Sequence, residues 1–151
     1  MARHQFCTFH VDGFFMGIEA RFVQEVLRQQ PITHVPLVGN EVSGLVNLRG
    51  QIVTAVDLRA RLGLKPIESI AKAMHVVIKT DDGPVSLLVD DIGDVLDATD
   101  DSFEPPLDTI TGVMREVITG VYKLEGKLLL ALDTRRCASP TEPARARSKA
   151  G

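Results

Sequence analysis

The chain has 151 residues, of which 44% are hydrophobic and 25% are charged, and its formal net charge is −3. This composition is that of an ordinary soluble globular domain, and it excludes a chain that is disordered throughout. The weak charge, without a run that mixes aromatic and basic residues, argues against a nucleic-acid partner. Because no apolar run reaches the roughly 18 residues of a membrane span and the amino terminus lacks a signal-peptide core, we expect a cytoplasmic protein without membrane insertion.

The first predicted element is a hairpin. Residues 5–11 combine aromatic and β-favouring side chains, and the Asp12-Gly13 pair that follows them is a strong turn signal. Farther along, the apolar positions of residues 21–28 fit a short helical turn and an extended edge strand equally well, so both alternatives stay open. Residues 50–58 are β-branched and apolar after a glycine, which predicts a buried strand.

The middle of the chain predicts a helical turn and then a second hairpin. Residues 58–64 indicate one turn of helix, and residues 64–74 are interpreted as a segment that crosses between two lobes. An apolar run then leads to Asp82-Gly83, which we interpret as the counterpart of the first turn. Residues 90–104 include seven acidic side chains without the ligand order of a calcium loop, which favours a solvated surface.

Two stretches of the sequence resemble each other at a constant offset of 76 residues. Their matched positions are Gly44 with Gly120, Leu48 with Leu124, Gly50 with Gly126, Val56 with Leu132 and Asp57 with Asp133. A second series runs at an offset of 69 residues and aligns Val23 with Ile92 and Val26 with Val95. Such a long period is unlike that of a solenoid and predicts two equivalent lobes.

Many short strands separated by glycine turns predict a mainly β fold of two small antiparallel barrels packed together, with short helices. We expect barrel one to be formed mainly by residues 14–65 and barrel two mainly by residues 84–136, within a domain of residues 1–136 that the terminal segments complete. Residues 137–151 are small, polar and proline-containing, which predicts a disordered tail.

The sequence predicts neither a metal site nor a cofactor site. The four histidines, at positions 4, 10, 34 and 75, lack the spacing of metal ligands on a helix, so surface or core positions are the simpler interpretation. Cys7 and Cys137 match no metal motif and are expected to be free thiols. Residues 69–72 have the Ser-x-x-Lys spacing of penicillin-recognising enzymes, but the other motifs of that class do not occur, and we predict a connecting segment.

One enzymatic alternative comes from the repeat itself. Asp57 and Asp133 are matched carboxylates that each follow an apolar strand, as in the two-lobed aspartic proteases, where two such groups share a proton. The Asp-Thr-Gly or Asp-Ser-Gly motif of those enzymes is absent, because Leu58-Arg59 and Thr134-Arg135 follow the two aspartates. The favoured interpretation is that each aspartate closes a turn by accepting backbone hydrogen bonds.

The stretch VNLRGQIVTAVDLRARLG at residues 46–63, preceded by VQEVL at residues 23–27, resembles the CheW family of chemotaxis coupling proteins. The resemblance covers roughly residues 5–136 and includes Pro36 and the acidic Asp94-Val95-Leu96 segment. Two positions depart from the family pattern, since Thr54 stands where proline is usual and Ser86 stands where glycine is common.

This resemblance implies two five-stranded SH3-like barrels around a shared apolar core and groove. It also implies a non-catalytic adaptor without cofactors, which joins the cytoplasmic tips of chemoreceptors to the regulatory domain of the histidine kinase CheA. Recruitment to membrane-associated receptor arrays is then expected. The methionine start and the polar tail favour a free-standing protein, and a domain cut from a longer kinase or a fusion is the open alternative.

The resemblance further implies which residues bind the partners. Glu25 and Arg49 match an acid–arginine pair beside the receptor groove, and Gly44 matches a glycine where a side chain would obstruct docking. An alternative for the pair is an ion pair that only braces the fold, and such a pair contributes little stability when it is exposed. The complete predicted set is Val23, Glu25, Val26, Gly44, Asn47, Arg49, Ser86 and Val95.

Overall fold

The structure is a computed structural model that describes residues 3–33 and 42–138. Its described part is mainly β, with short α-helices and single turns of 3-10 helix. The strands are β1 (Arg3–Val11), β2 (Phe14–Glu19), β3 (Val23–Leu27), β4 (Val42–Leu48), β5 (Gln51–Asp57), β6 (Met74–Thr80), β7 (Gly83–Val89), β8 (Asp91–Thr99), β9 (Phe103–Glu104), β10 (Ile118–Leu124) and β11 (Lys127–Leu132). The helices are α1 (Leu58–Arg61), α2 (Gly112–Val117) and α3 (Thr134–Ala138).

The strands form two sheets, which confirms the prediction of a mainly β fold with two lobes. Lobe one is the five-stranded sheet β3-β6-β7-β5-β4, and lobe two is the six-stranded sheet β8-β1-β2-β11-β10-β9. The sixth strand of lobe two is the two-residue β9, whose position in lobe one is taken by a single bridge between Thr33 and Leu45. In each lobe one strand pair is parallel, β5 with β7 and β2 with β11.

The repeat seen in the sequence is repeated in the hydrogen-bond register. Strand β4 pairs Val42 with Val56 and is then irregular before Gly44 pairs with Ala55. Strand β10 shows the same irregularity, between the Ile118–Leu132 and Gly120–Ala131 pairs, at positions that are each 76 residues later. The two lobes are therefore equivalent down to the position of the bulge in this hairpin.

The predicted boundaries between the barrels, at residues 14 and 84, are wrong because two hairpins belong to the opposite lobe. Strand β2 pairs with β1 and β11 in lobe two, whereas β7 pairs with β6 and β5 in lobe one. Tight turns keep β1 with β2 and β6 with β7, so the chain changes lobe only after each hairpin is complete. It does so at residues 20–22 and at Asp90, and the 64–74 segment stays within lobe one.

Three local expectations are also settled by the structure. Residues 21–28 contain both alternatives, a 3-10 turn at Ala20–Phe22 and then strand β3. The second hairpin turns at residues 81–82, one residue before the predicted position, and Gly83 already pairs with Thr80 in the sheet. Residues 58–61 form helix α1, which is followed by Gly63 at a φ of 79°.

The first two residues of the predicted tail belong to a helix. Helix α3 extends to Ala138, and the Cys137 side chain is completely buried in the main core. Burial raises the pKa of this thiol to about 12, so Cys137 is a core residue with little thiolate character. The predictions for His34, Pro36 and the rest of the tail lie outside the described residues.

The main hydrophobic core is shared by the two lobes and packs between them. Strands β2 and β11 supply it from lobe two, and β6 and β7 supply it from lobe one. Its members include Phe9, Met16, Ile18, Leu58, Val76, Ile78, Leu87, Val89, Val117, Leu130 and Leu132. Because side chains alternate across each strand, these residues occupy one face of their sheet, and the other face of lobe one closes around a smaller core of its own.

A cluster of charged side chains also joins the lobes. Arg59 in α1 donates two hydrogen bonds to the Asp90 carboxylate, from Nε to Oδ1 at 2.9 Å and from Nη2 to Oδ2 at 2.6 Å. The same guanidinium lies 3.5 Å from the carboxylate of Asp12, in the β1–β2 turn of lobe two. The backbone N–H of Asp12 donates to Asp90 at 2.6 Å, so one arginine holds a helix of lobe one against a hairpin of lobe two.

Candidate partner-binding edge of lobe one

The β4–β5 hairpin turns through only two residues, Arg49 and Gly50. Both have positive φ, 54° and 88°, which is the conformation of a type I′ turn and matches the right-handed twist of paired strands. Positive φ is unusual for an arginine, and the turn is held by the Asn47 side chain, whose Oδ1 accepts the Gly50 N–H at 2.8 Å. Asn47 therefore shapes the turn that presents Arg49.

Arg49 reaches from this turn to the edge strand β3 and binds Glu25. Its Nη1 donates to Oε2 at 2.7 Å, and its Nη2 donates to Oε1 at 2.5 Å, which is a two-pronged arginine–carboxylate pair. The pair links the two ends of the lobe-one sheet, since β3 and β4 are the outermost strands of that sheet. The hydrogen bonds from Arg49 lower the pKa of Glu25 and outweigh the opposing effect of burial.

The pair is unequally exposed to solvent. The side chain of Glu25 is 17% exposed, whereas that of Arg49 is 73% exposed, so an approaching molecule meets the guanidinium first. Val26, the next residue along β3, is also exposed, and Val23 at the start of the strand is partly buried against the main core. We call this surface, formed by Glu25, Val26, Asn47 and Arg49, the lobe-one edge.

Val95 lies in lobe two, at the position equivalent to Val26. It is 54% exposed on strand β8, where it pairs with Cys7 of β1. Of the three valines in the predicted set, Val26 in lobe one and Val95 in lobe two are thus exposed to solvent. Val26 and Val95 do not lie in the same sheet, because β3 belongs to lobe one and β8 belongs to lobe two.

Gly44 is buried, and its role is explained within the chain. A Cβ at this position would overlap the carbonyl oxygen of Thr33 and lie 2.9 Å from its carbonyl carbon. Thr33 and Leu45 exchange two backbone hydrogen bonds of 2.8 Å here, so the two segments must approach closely. The obstruction that the sequence predicted at Gly44 therefore concerns this chain's own backbone.

Ser86 does not belong to the binding surface. Its side chain is completely buried inside lobe one, where its Oγ lies 2.8 Å from Nδ1 of the equally buried His75. The prediction that Ser86 contacts a partner is wrong, because strand β7 is central in its sheet and residue 86 is on the inward-facing side of that strand. His75 thus occupies a core position, one of the two interpretations that the sequence favoured for the histidines.

The two aspartates of the enzymatic alternative are helix caps. Asp57 accepts the backbone N–H groups of Ala60 at 3.3 Å and of Ile67 at 2.9 Å, and Asp133 accepts that of Arg136 at 3.1 Å. Each carboxylate thus binds the backbone that follows its own strand, which confirms the interpretation favoured from the sequence. Burial raises the pKa of Asp57 despite these hydrogen bonds.

A groove of about 1020 Å³ lies between the lobes. Its floor is apolar, with Phe22 and Val85 from one side and Leu132 and Tyr122 from the other, and charged side chains such as Asp81 and Arg135 surround it. A smaller pocket of about 420 Å³ lies near Arg59 and Lys72. The shared groove that the resemblance implied therefore exists as a cleft between the two sheets.

Comparison with known proteins supports one family. The family model described as the CheW-like domain matches residues 5–141. The chain belongs to the CheW-like domain family. The probable chemotaxis protein CheW of Rhizobium etli is 29% identical over 120 residues, which are 80% of this chain and 77% of that protein. The chemotaxis protein CheW of Rhizobium meliloti is 32% identical over 111 residues, or 74% and 72% of the two chains.

A solved structure shows the same fold. The scaffolding protein TtCheW from Thermoanaerobacter tengcongensis superposes with a TM-score of 0.77, and the match covers 87% of this chain and 90% of that one at 23% sequence identity. Together with the two sheets described above, this likeness confirms the predicted CheW-like arrangement of two SH3-like β lobes.

Within residues 3–33 and 42–138, no three His, Cys, Asp or Glu side chains come together in a way that could hold a metal ion. Over the same ranges, none of the helices is long and apolar enough to cross a membrane.

Two features of the structure were not predicted from the sequence. The cluster of Arg59 with Asp12 and Asp90 was not predicted, although all three residues lie next to the predicted turns. At the position equivalent to Arg49, lobe two has Glu125, and at the position equivalent to Glu25 it has Asp94. Lobe two therefore has two acidic residues at the positions where lobe one has the arginine–carboxylate pair. The two sequence offsets were sufficient to predict this difference between the lobes.

Proposed function

We propose that this CheW-like domain is a non-catalytic cytoplasmic adaptor that couples chemoreceptor cytoplasmic tips to the regulatory domain of the histidine kinase CheA. Membership of the family and the names of its relatives support this proposal. The two aspartates support it further, since both are engaged in capping their own helices. Recruitment to receptor arrays at the membrane follows from the receptor partner.

The lobe-one edge is the docking surface that we assign within this function. The observation that carries the assignment is the Glu25–Arg49 pair, in which the guanidinium stays largely exposed while both of its terminal nitrogens are fixed by one carboxylate. A fixed guanidinium loses less conformational entropy when it meets an acidic group of a partner. Exposed Val26 beside it supplies apolar surface of the kind that forms the centre of interfaces.

A bracing role for the pair is the competing explanation. The pair connects the two outer strands of the sheet, so its loss could act through folding alone. An exposed ion pair contributes little to the free energy of unfolding, and we therefore expect Arg49→Ala to unfold at nearly the same temperature as the parent. Binding to the receptor tip or to the kinase domain should be weaker by about tenfold or more, because a partner carboxylate loses its charged donor.

The deciding experiment combines the single variant with a charge exchange. The double variant Glu25→Arg with Arg49→Glu keeps an internal ion pair but reverses which charge faces solvent. Melting and equilibrium binding to purified receptor tip and kinase regulatory domain are measured on the same preparations. If the exchange restores binding, the pair acts as a brace. If the exchange melts like the parent and still fails to bind, the exposed guanidinium is the binding group.

A matched control is available in the same chain. Arg21 forms a similar exposed pair with Glu19, at 2.9 Å and with a side chain that is 72% exposed, but it lies outside the lobe-one edge. Arg21→Ala should bind both partners like the parent. Equal loss of binding in the Arg21 and Arg49 variants would instead indicate a general effect of surface charge and would place the docking surface elsewhere.

A further inference from the structure

The interior of lobe one contains a polar pair that the docking function does not use. His75 on β6 and Ser86 on β7 are both completely buried, and Nδ1 of the imidazole lies 2.8 Å from Oγ of the serine. Apart from the phenol of Tyr122, the other polar or charged side chains buried within the described ranges are those of Thr8 and Asp57. A histidine–serine pair is therefore an exceptional feature of this interior.

The pair leaves one ring nitrogen without a partner. Nε2 of His75 is buried and makes no hydrogen bond within the described part of the chain. A neutral imidazole needs only one donor and one acceptor contact, but a protonated imidazole carries two N–H groups and a full charge. Protonation would thus place an unpaired N–H and a positive charge in the interior, which is costly in an apolar environment.

Lobe two fills the equivalent space with apolar atoms. At the offset of 69 residues, His75 corresponds to Phe6 and Ser86 corresponds to Gly17. Phe6 is buried in the lobe-two core with Tyr122, and a Cβ added at Gly17 would lie 3.3 Å from the Phe6 Cβ and 3.0 Å from Cδ1 of Leu129. Lobe two therefore has an aromatic ring packed over a glycine where lobe one has an imidazole bonded to a serine.

The titratable and charged groups around His75 do not compensate its charge. Strand β3 presents Leu27 directly opposite, and β7 presents Leu88. The charged side chains on the surrounding strands are already engaged or exposed: Glu25 is bound to Arg49, Asp57 accepts backbone N–H groups, and Lys79 is exposed. Arg28, just after β3, is also exposed. Burial accordingly lowers the pKa of the His75 imidazole below its ordinary value.

We propose that the His75–Ser86 pair makes lobe one acid-sensitive, so that mild acidification loosens the lobe that carries the docking edge before it loosens lobe two. The strand that carries His75 pairs directly with β3, which carries Glu25 and Val26. Loosening of the β3–β6 pair thus reaches the lobe-one edge without any intermediate element. This inference goes beyond the proposed function and concerns the stability of the chain alone.

The sign of the effect follows from proton linkage. The unfolded chain binds a proton on His75 near the ordinary histidine pKa of about 6.5, whereas the folded chain binds it only at lower pH. The contribution to stability is complete above about pH 6.5 and is lost as the pH falls toward the folded-state pKa. Between pH 7.5 and 5.5 the folding equilibrium constant should fall on account of this residue, by at most about tenfold when the unfolded-state pKa is about 6.5.

The first experiment attributes the pH dependence to His75. Urea unfolding is followed by circular dichroism at pH 7.5 and 5.5 for the parent, His75→Gln, and the double variant His75→Phe with Ser86→Gly, which reproduces the lobe-two combination. In both variants the folding equilibrium constant should fall less over this interval than in the parent, by a factor of up to about ten, whatever their absolute stability. The exposed His10 gives the control, since His10→Gln should keep the parental loss. A His75→Gln variant with the parental pH dependence overturns the inference.

The second experiment locates the effect. Native-state hydrogen exchange, corrected for the intrinsic pH dependence of exchange, is compared at pH 7.5 and 5.5 for the amides of β3 and β6 and for those of β10 and β11. Protection should fall in β3 and β6 and stay nearly constant in β10 and β11. An equal fall in both lobes overturns the inference. None of these readouts uses a receptor or a kinase, so a failure of the proposed docking function leaves their outcome unaffected.

Discussion

The two lobes share a backbone and differ in chemistry. Their parallel strand pairs join Thr54 to Val85 in lobe one and Leu130 to Met16 in lobe two, positions that the two sequence offsets relate residue by residue. Yet lobe one buries His75 with Ser86 and shows an arginine–carboxylate pair outside, whereas lobe two buries Phe6 over Gly17. Backbone register has been retained where side-chain chemistry has changed.

This difference shows which positions define the fold and which define the surface. The retained positions include Gly44 and Gly120 and the bulges beside them, because these allow neighbouring segments to approach closely. The changed positions lie at the turn tips and in the lobe interiors, where a sheet accepts any side chain of suitable size. Each lobe can thus acquire its own binding surface without a change of fold.

The largest effect is expected at the matched glycines and should differ between the lobes. A Cβ at Gly44 would overlap the backbone carbonyl of Thr33, which cannot move without breaking two hydrogen bonds. A Cβ at Gly120 would overlap the ring of Phe103, which is exposed and can rotate away, and would lie 3.0 Å from the carbonyl oxygen of Glu104, a tight contact without overlap. Urea unfolding should show a loss of about 3 kcal/mol or more for Gly44→Ala and about 1–2 kcal/mol for Gly120→Ala. Equal losses would contradict the distinction between backbone and side-chain neighbours.

A smaller effect is expected where the lobes are held together. The side chains of Arg59 and Asp90 are 22% and 27% exposed, so Arg59→Ala should cost about 2 kcal/mol in the free energy of unfolding, as is usual for hydrogen bonds to charged groups. Arg59→Lys should retain only part of the stabilisation that Arg59 provides, because an ammonium cannot reproduce the two-pronged contact. Lys123→Ala, which removes the exposed Lys123–Glu104 pair within lobe two, is the control and should change little.

The same substitution predicts a pH dependence. Burial alone would raise the pKa of Asp90, but the hydrogen bonds from Arg59 and from the Asp12 backbone outweigh it, and the pKa is lowered. A carboxyl with a lowered pKa stabilises the fold above the ordinary aspartate value of about 4, and the benefit is lost as the pH falls through the folded-state pKa. The stability difference between the parent and Arg59→Ala should therefore shrink below about pH 4. A difference that is constant down to pH 3 would count against this ion pair.

Much of the fold was predictable because it depends on local signals. Alternation, turn residues and the two offsets predicted the strands, the hairpins and the equivalence of the lobes. The assignment of β2 and β7 to lobes was not predictable in this way. A hairpin carries its own pairing partner, but the parallel contact with β11 or β5 joins segments that are far apart in sequence. Because the two barrels are equivalent, each hairpin could pair with either β5 or β11. The sequence repeat therefore does not predict which of the two pairings forms.

The site was predictable to a different extent. The structure brings Glu25 and Arg49 together, as the resemblance to the CheW family implied, and Asn47 holds the turn that carries Arg49. Ser86 was misplaced because a departure from a family pattern says nothing about the direction in which a side chain points. Strand alternation places residues 86 and 88 on the same face, so the apolar Leu88 was the available evidence that Ser86 points inward.

The smallest effect is expected from an attempt to give lobe two the ion pair of lobe one. Glu125→Arg gives lobe two an arginine and an aspartate at the positions equivalent to Arg49 and Glu25. The β10–β11 turn, however, differs in backbone conformation from the β4–β5 turn. Arg49 and Gly50 both have positive φ, whereas in the lobe-two turn only Gly126 does, at 78°. The new side chain should therefore leave its turn in another direction and not reach the Asp94 carboxylate.

The expected outcome is a free energy of unfolding within about 0.5 kcal/mol of the parent, as for most exposed substitutions. The measurement is urea unfolding at low salt, with Asp94→Asn made in both the parent and the variant backgrounds. If the pair does not form, Asp94→Asn has the same effect in both. A gain in stability that Asp94→Asn abolishes only in the Glu125→Arg background would mean that the ion pair requires only matching charges and not the Arg49-Gly50 turn. The left-handed backbone of Arg49 is then no longer the reason why lobe one alone has the pair.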